Sequence, residues 1–140
     1  MKIAIEAQRL FRARKHGMDV VAYEFLRRLP ALNDSNQYHI IVKNDVDNCI
    51  EPSENKFIHP LKAIFYPLWE QFLLPSFCKK INISVLHCTA NTAPVFYKKP
   101  LILTLHDIIF LQQNNFSNKG SWYQSLGNTY RSLVVPIVAK

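Results

Sequence analysis

His106 and Asp107 interrupt an otherwise apolar stretch, "LILTLHDIIFL" (residues 101–111). Imidazole titrates near neutrality, and a neighbouring carboxylate can orient or charge it. Adjacent strand residues point to opposite faces, so the two need not pair directly. A structural alternative stands beside the chemical one: Asp107 as a turn or helix cap, His106 as a hydrogen-bonded core histidine. A metal phosphohydrolase built on a His–Asp pair is disfavoured, because it needs further His and Asp ligands on helices and this pair leaves a strand with no matching cluster.

Two further stretches carry chemistry. "RKHGMD" holds Gly17 and Met18 at the start of a helical pattern. Glycine there lets backbone approach a ligand closely, and a helix N-terminus offers free N–H groups suited to a phosphate. The full G-x-G-x-x-G is missing, so a loop glycine needed for a tight turn is an equal reading. "HCTANTAP" (87–94) places Asn91 and Thr92 among small residues, as a ligand-contacting loop or an Asx turn before Pro94. His87 beside Cys88 suggests a Cys/His nucleophile only weakly; nothing in the sequence activates the thiol, and a buried small residue is the simpler reading.

The elements that must position these loops follow from periodicity. Residues 2–6, 38–44, 56–59, 83–88 and 100–106 read as strands, the last two as near-continuous apolar runs suited to parallel strands covered on both faces. "MDVVAYEFLRRLPAL" (18–32) is an amphipathic helix, with Met18, Ala22, Phe25, Leu26, Leu29 and Leu32 inward and Asp19, Glu24, Arg27 and Arg28 on the wet side. Pro30 should distort its last turn. Residues 64–81 form an apolar helical region, kinked or split by Pro75, with Trp69 and Phe72 in the core. A last helix starts near Ser121. The order β-α-β-β-α-β-β-α predicts an α/β fold, a Rossmann-like, mostly parallel sheet flanked by helices. In such sheets ligands bind beyond the carboxyl ends of the strands, where all three loops would line one cleft.

The 140 residues suit a single domain (1–140) with a real core. No apolar run reaches the roughly 20 residues of a membrane span, and the N-terminus lacks a signal-peptide h-region, so a cytoplasmic chain is expected. Cys49, Cys78 and Cys88 read as reduced thiols, not as a disulfide or zinc framework. The net charge of +7 suggests anionic company or a solubilising surface. Nucleic acid is the alternative partner, although no RRM, KH or helix-turn-helix signature supports it. A stand-alone interaction domain is another alternative.

"HGMDVVAYEFLRRLPAL", "LLPSFCKKINISVLHCTANTAP" and "PLILTLHDIIFL" together resemble the N-terminal domain of bacterial family 4 glycosyltransferases of the GT-B fold. The similarity covers nearly the whole chain. The resemblance implies retaining transfer of a sugar from a nucleotide sugar to an acceptor, without metal or cofactor. It implies an acceptor-side domain whose partner, a C-terminal nucleotide-sugar-binding domain with an E-x7-E motif, is absent from this chain. The sequence ends at Lys140 on a helix with no strand to feed, so a truncated domain, inactive alone, is expected. By the same resemblance His106 lies beside the reacting sugar, with Asp107 following it. Gly17 and Met18 fall on the glycine-rich loop, here reduced from two glycines to one. Asn91 and Thr92 fall on the acceptor-side loop. The acceptor implied is a saccharide, such as a lipid-linked sugar in cell-surface polysaccharide synthesis, reached by peripheral contact with the inner face of the membrane.

Overall fold

The computed structural model describes residues 1–29, 35–62, 64–107 and 122–139. Five strands, β1 (Lys2–Glu6), β2 (Gln37–Val42), β3 (Lys56–Pro60), β4 (Val85–Cys88) and β5 (Leu101–Leu103), form one sheet in the order β3-β2-β1-β4-β5. Every pairing is parallel. This is a Rossmann-like α/β sheet. β1 is central, with Ile5 opposite Ile40 on one side and His87 on the other.

Alternation along the strands divides the core into two layers. Ile5, Tyr38, Ile40 and Val42 face one cluster with Leu10, Phe11, Leu26 and Leu29. Ala4, Ile41, Leu86 and Cys88 face the other, with Trp69, Leu74, Cys78 and Ile83. Burying each large apolar side chain contributes roughly 1.5–3 kcal/mol, so both faces are closed by helices rather than left to water.

Helix α1 (Gly17–Arg28) covers the first face and begins on His16 as N-cap. The His16 N–H donates to Asp19 Oδ2 at 2.9 Å, and Arg12 Nη1 reaches the same oxygen at 3.4 Å. Asp19 is therefore buried, not on the wet side as its polarity predicts, because capping draws it in. Phe25, expected inward, is 40% exposed and lays its ring edge-on against His87. The helix ends with Arg27 and Arg28 in its last turn, both paired with Glu24 on the surface. It stops four residues short of the expected boundary at 32; Pro30 and Leu32 lie outside the described residues.

The second face is covered by α2 (Tyr66–Leu68), a π-helical turn (Trp69–Leu73) and α3 (Leu74–Lys80). The Leu74 N–H bonds back to the Trp69 carbonyl. That wider turn absorbs the missing N–H of Pro75, so the predicted break appears as a change of helical register. Trp69 is fully buried as expected, but the register change turns Phe72 out to 65% exposure. β5 is shorter than the predicted 100–106: Thr104 still donates to the Cys88 carbonyl at 2.9 Å, after which the chain leaves the ladder. A final helix, α4 (Trp122–Val138), contains Pro136. Ile108 to Leu111 of the opening stretch lie outside the described residues.

Candidate functional site at the carboxyl edge

β1 and β4 are neighbours at the point where the strand order reverses. Their carboxyl ends flank the crevice where α/β sheets bind ligands. β1 delivers Glu6 to this point, β4 delivers Thr89, and the chain after β5 delivers His106.

The three ends are tied together by hydrogen bonds. Thr89 Oγ1 donates to the Glu6 carbonyl at 2.7 Å, and the Thr89 N–H points at Glu6 Oε2 at 3.4 Å. Asn91 Oδ1 accepts the His106 N–H at 2.7 Å. His106 Nε2 lies 2.8 Å from the Thr89 carbonyl, which can only accept, so Nε2 carries the proton. That bond fixes the ring's orientation and leaves Nδ1 as its other polar atom. Asn91 adopts φ 67°, a left-handed conformation that asparagine tolerates better than most residues. The strained residue thus holds the turn that holds His106.

Each expected site residue has a definite place. His106 is half-buried at the switch point, and Asp107 beside it is exposed. Gly17 is exposed and its φ is ordinary; a Cβ there would meet nothing within 4 Å. No tight turn requires this glycine, which removes that reading of it. Met18 lines a shallow, open crevice together with Glu6, Arg9, Asp19 and Thr89. Asn91 and Thr92 are each 2% exposed, with Asn91 Oδ1 and Thr92 Oγ1 hydrogen-bonded internally. They lie beneath the site and set the loop after β4. His87 bonds Thr104 Oγ1 at 2.8 Å, and burial lowers its pKa. Cys88 lies on the opposite face, and burial raises its thiol pKa well above the ordinary value. The pair is no activated nucleophile.

The sequence reading missed a second layer of polar residues. Glu70 is fully buried, yet its carboxyl group collects four donors. Tyr66 Oη and Thr92 Oγ1 reach Oε1 at 2.5 Å each; Gln71 Nε2 reaches Oε2 at 3.1 Å, joined there by Tyr130 Oη. Gln71 also bonds Tyr130 Oη at 2.6 Å and receives the Val95 N–H at 2.9 Å. This knot joins the π-helical turn, the loop after β4 and α4. Burial raises the Tyr66 and Tyr130 phenol pKa values, so both remain donors. Glu6, 1% exposed, has its pKa pushed up to about 7, chiefly by burial and further by the charge of Glu70, against the lowering effect of the Gln8 N–H and Arg9. Each carboxylate leaves a trace in the sequence. Glu6 closes an apolar strand at its ligand-binding end, and Glu70 is the only acid in the apolar run 64–78.

Among the described residues, no group of three or more His, Cys, Asp or Glu is arranged to hold a metal ion. No described helix is long and apolar enough to cross a membrane. The fold and site define a Rossmann-like α/β layer with a polar switch-point edge. No family model, curated protein or solved structure matches this chain.

Proposed function

We propose that this chain is the acceptor-side, N-terminal domain of a retaining GT-B glycosyltransferase, which moves a sugar from a nucleotide-sugar donor to an acceptor such as a lipid-linked saccharide. The observation that carries the reading is His106, held by its own N–H and by Nε2 at the mouth between β1 and β4. A group fixed in advance at a strand terminus can meet charge as it develops on a bound sugar without reorganising. The loop resemblance adds the substrate class. In this reading the ring and backbone of His106 hold the donor sugar. Gly17 and Met18 bring the start of α1 close to it, and Asp107 borders the same opening. Asn91 and Thr92 act from beneath by setting the loop. The chemistry needs no cofactor from this chain. The proposed setting is cytoplasmic, with the acceptor met at the membrane's inner face. A complementary nucleotide-binding domain would complete the cleft, and the 140 residues alone would be inactive.

The test is sugar transfer by the protein made from the complete native reading frame, supplied with a panel of nucleotide sugars and lipid-linked saccharides. Transfer is expected, and His106→Ala should lower kcat about 100-fold with the fold intact by circular dichroism. Unchanged turnover in the variant removes His106 from the mechanism, and absence of any transfer removes the reading. Steeply salt-dependent binding to DNA or RNA would favour the nucleic-acid alternative.

A further inference from the structure

The helical layer over the second sheet face is apolar on its outer side as well as its inner one. Trp69, Leu74 and Cys78 face the sheet and are buried. Phe65, Phe72 and Leu73 are exposed, and Ile64 just ahead of them is 94% exposed. The Phe65 carbonyl accepts the Trp69 N–H at 3.2 Å, so the helical path starts there. Phe65 and Phe72 are seven residues apart, close to two turns, which puts them on one side of it. Phe96 joins the layer from the loop after β4. Gln71 Oε1 accepts the Val95 N–H at 2.9 Å, and Gln71 Nε2 donates to the Ala93 carbonyl at 3.2 Å, so this loop is bonded next to Phe72. Tyr97 packs against the core cluster and anchors the loop, while Phe96 is 90% exposed. Lys99 Nζ donates to Asn82 Oδ1 at 3.1 Å and to the Ile83 carbonyl at 2.8 Å, which ties the loop to the end of α3. Lys98 in the loop and Lys79 and Lys80 in the last turn of α3 are exposed. Among the described residues, none of the three forms an ion pair with a carboxylate. Glu70, the only acid between residues 62 and 80, is buried, and Asp107 is the only acidic residue after it.

Several large apolar side chains left together in water mark a surface that meets something. The flanking charges say what it meets. Protein interfaces are depleted in lysine, and their aromatic anchors fill pockets. A bilayer surface takes the arrangement seen here. Phenyl rings enter the boundary of the acyl chains, and lysine stems lie along it with their ammonium groups among the headgroups. With no exposed acid on the layer, its charge complements anionic lipid.

We infer that the outer side of this layer docks on an anionic lipid bilayer, with Phe65, Phe72 and Phe96 as its apolar contacts and Lys79, Lys80 and Lys98 as its charges. The surface supplies residues for the membrane contact proposed for the enzyme, yet it does not depend on sugar transfer. It needs only the exposed rings and the lysines beside them.

The experiment is co-sedimentation of the chain with vesicles of phosphatidylcholine, alone or mixed with phosphatidylglycerol, at physiological ionic strength and with no sugar donor or acceptor present. Partition into the mixed vesicles and not into the neutral ones is expected. Phe72→Gln and Phe96→Gln should each lower it about tenfold, as for loss of one inserted ring. Lys79→Gln and Lys80→Gln should each lower it about fivefold, as for loss of one charge at the surface. All four variants should fold like the native chain by circular dichroism, because each changes an exposed side chain. Val21→Gln, at an exposed position on α1 across the sheet, should partition like the native chain. No partition, or an equal loss in the Val21 variant, would overturn the surface. Undiminished partition of both phenylalanine variants would reduce the contact to charge alone and overturn it as well. A concentration-dependent dimer without lipid, lost in Phe72→Gln, would assign the face to a second copy of the chain instead. Failure to bind vesicles leaves transfer to a soluble acceptor standing, and failure of transfer leaves vesicle binding standing.

Discussion

Two regions of this sheet bury titratable groups, and they treat them differently. At the carboxyl edge, Glu70 is fully buried and its carboxyl group meets four donors. On the β2–β3 side, His39 and His59 stack with ring centroids 5.1 Å apart and share a hydrogen bond of 2.9 Å between Nδ1 and Nε2. His39 Nε2 is buried there with no partner. Phe57 and Phe77 flank the histidine pair. The first region is organised around its polar atoms; the second tolerates them inside an aromatic stack. Satisfied buried polar groups specify one arrangement, whereas a partly satisfied pair only costs stability.

The sharpest way to break this contrast is Glu70→Ala. Two phenols, a hydroxyl and an amide would lose their common acceptor, and α4 would lose one of its ties to the π-helical turn. A loss of about 3 kcal/mol or more is expected in chemical denaturation. Glu70→Gln, which keeps one acceptor oxygen, should cost less. Equal and small losses would show that the knot is incidental.

Glu6 comes next, through pH. Its folded pKa of about 7 lies above the ordinary carboxyl value of 4.5. The folded chain therefore binds more protons than the unfolded chain between those values, and stability should fall as pH rises across that window. The shift corresponds to at most about 3 kcal/mol. Glu6→Gln should flatten this slope in melts taken from pH 4.5 to 8; an unaltered slope would contradict the assignment.

The histidine pair should show the opposite sign with a smaller effect. Burial lowers the pKa of both rings below 6.5, and for His39 the charges of His59 and Lys2 add to it. The unfolded chain then takes up protons first, so stability falls as pH drops below 6.5. His39→Phe should remove part of that acid-side loss and raise stability at pH 5.5 by about 1 kcal/mol. A destabilised variant would mean that the His39–His59 bond contributes more than its orphaned nitrogen costs.

The legible and hidden parts of the site divide along similar lines. "KIAIE", "YHIIV" and "ISVLHC" announced strands because apolar residues there serve both faces, and β1, β2 and β4 lie within or close to those stretches. "HGMD" announced a helix start, and α1 begins on Gly17. His106 stood out as a polar interruption, and it does leave the sheet at its carboxyl edge. Phe72 misled because the helical spacing assumed a regular turn where Pro75 imposes a π-helical one. Asn91 and Thr92 stood out as a polar pair among small residues, but side-chain polarity does not reveal which partners wait inside.

Alternation and period, which depend on near neighbours in the chain, determined the strands, the first helix and the parallel α/β class. The sequence alone therefore carried the scaffold and pointed to its ligand-binding end. It could not bring Glu70 to Thr92, 22 positions away, or to Tyr130, 60 positions away. Nor could it set Arg9 over the ring of Tyr66. Those meetings depend on the strand order β3-β2-β1-β4-β5 and on the docking of α4. Only the folded chain decides which polar groups lose water together, and that shared desolvation gives the edge its charge and its chemistry.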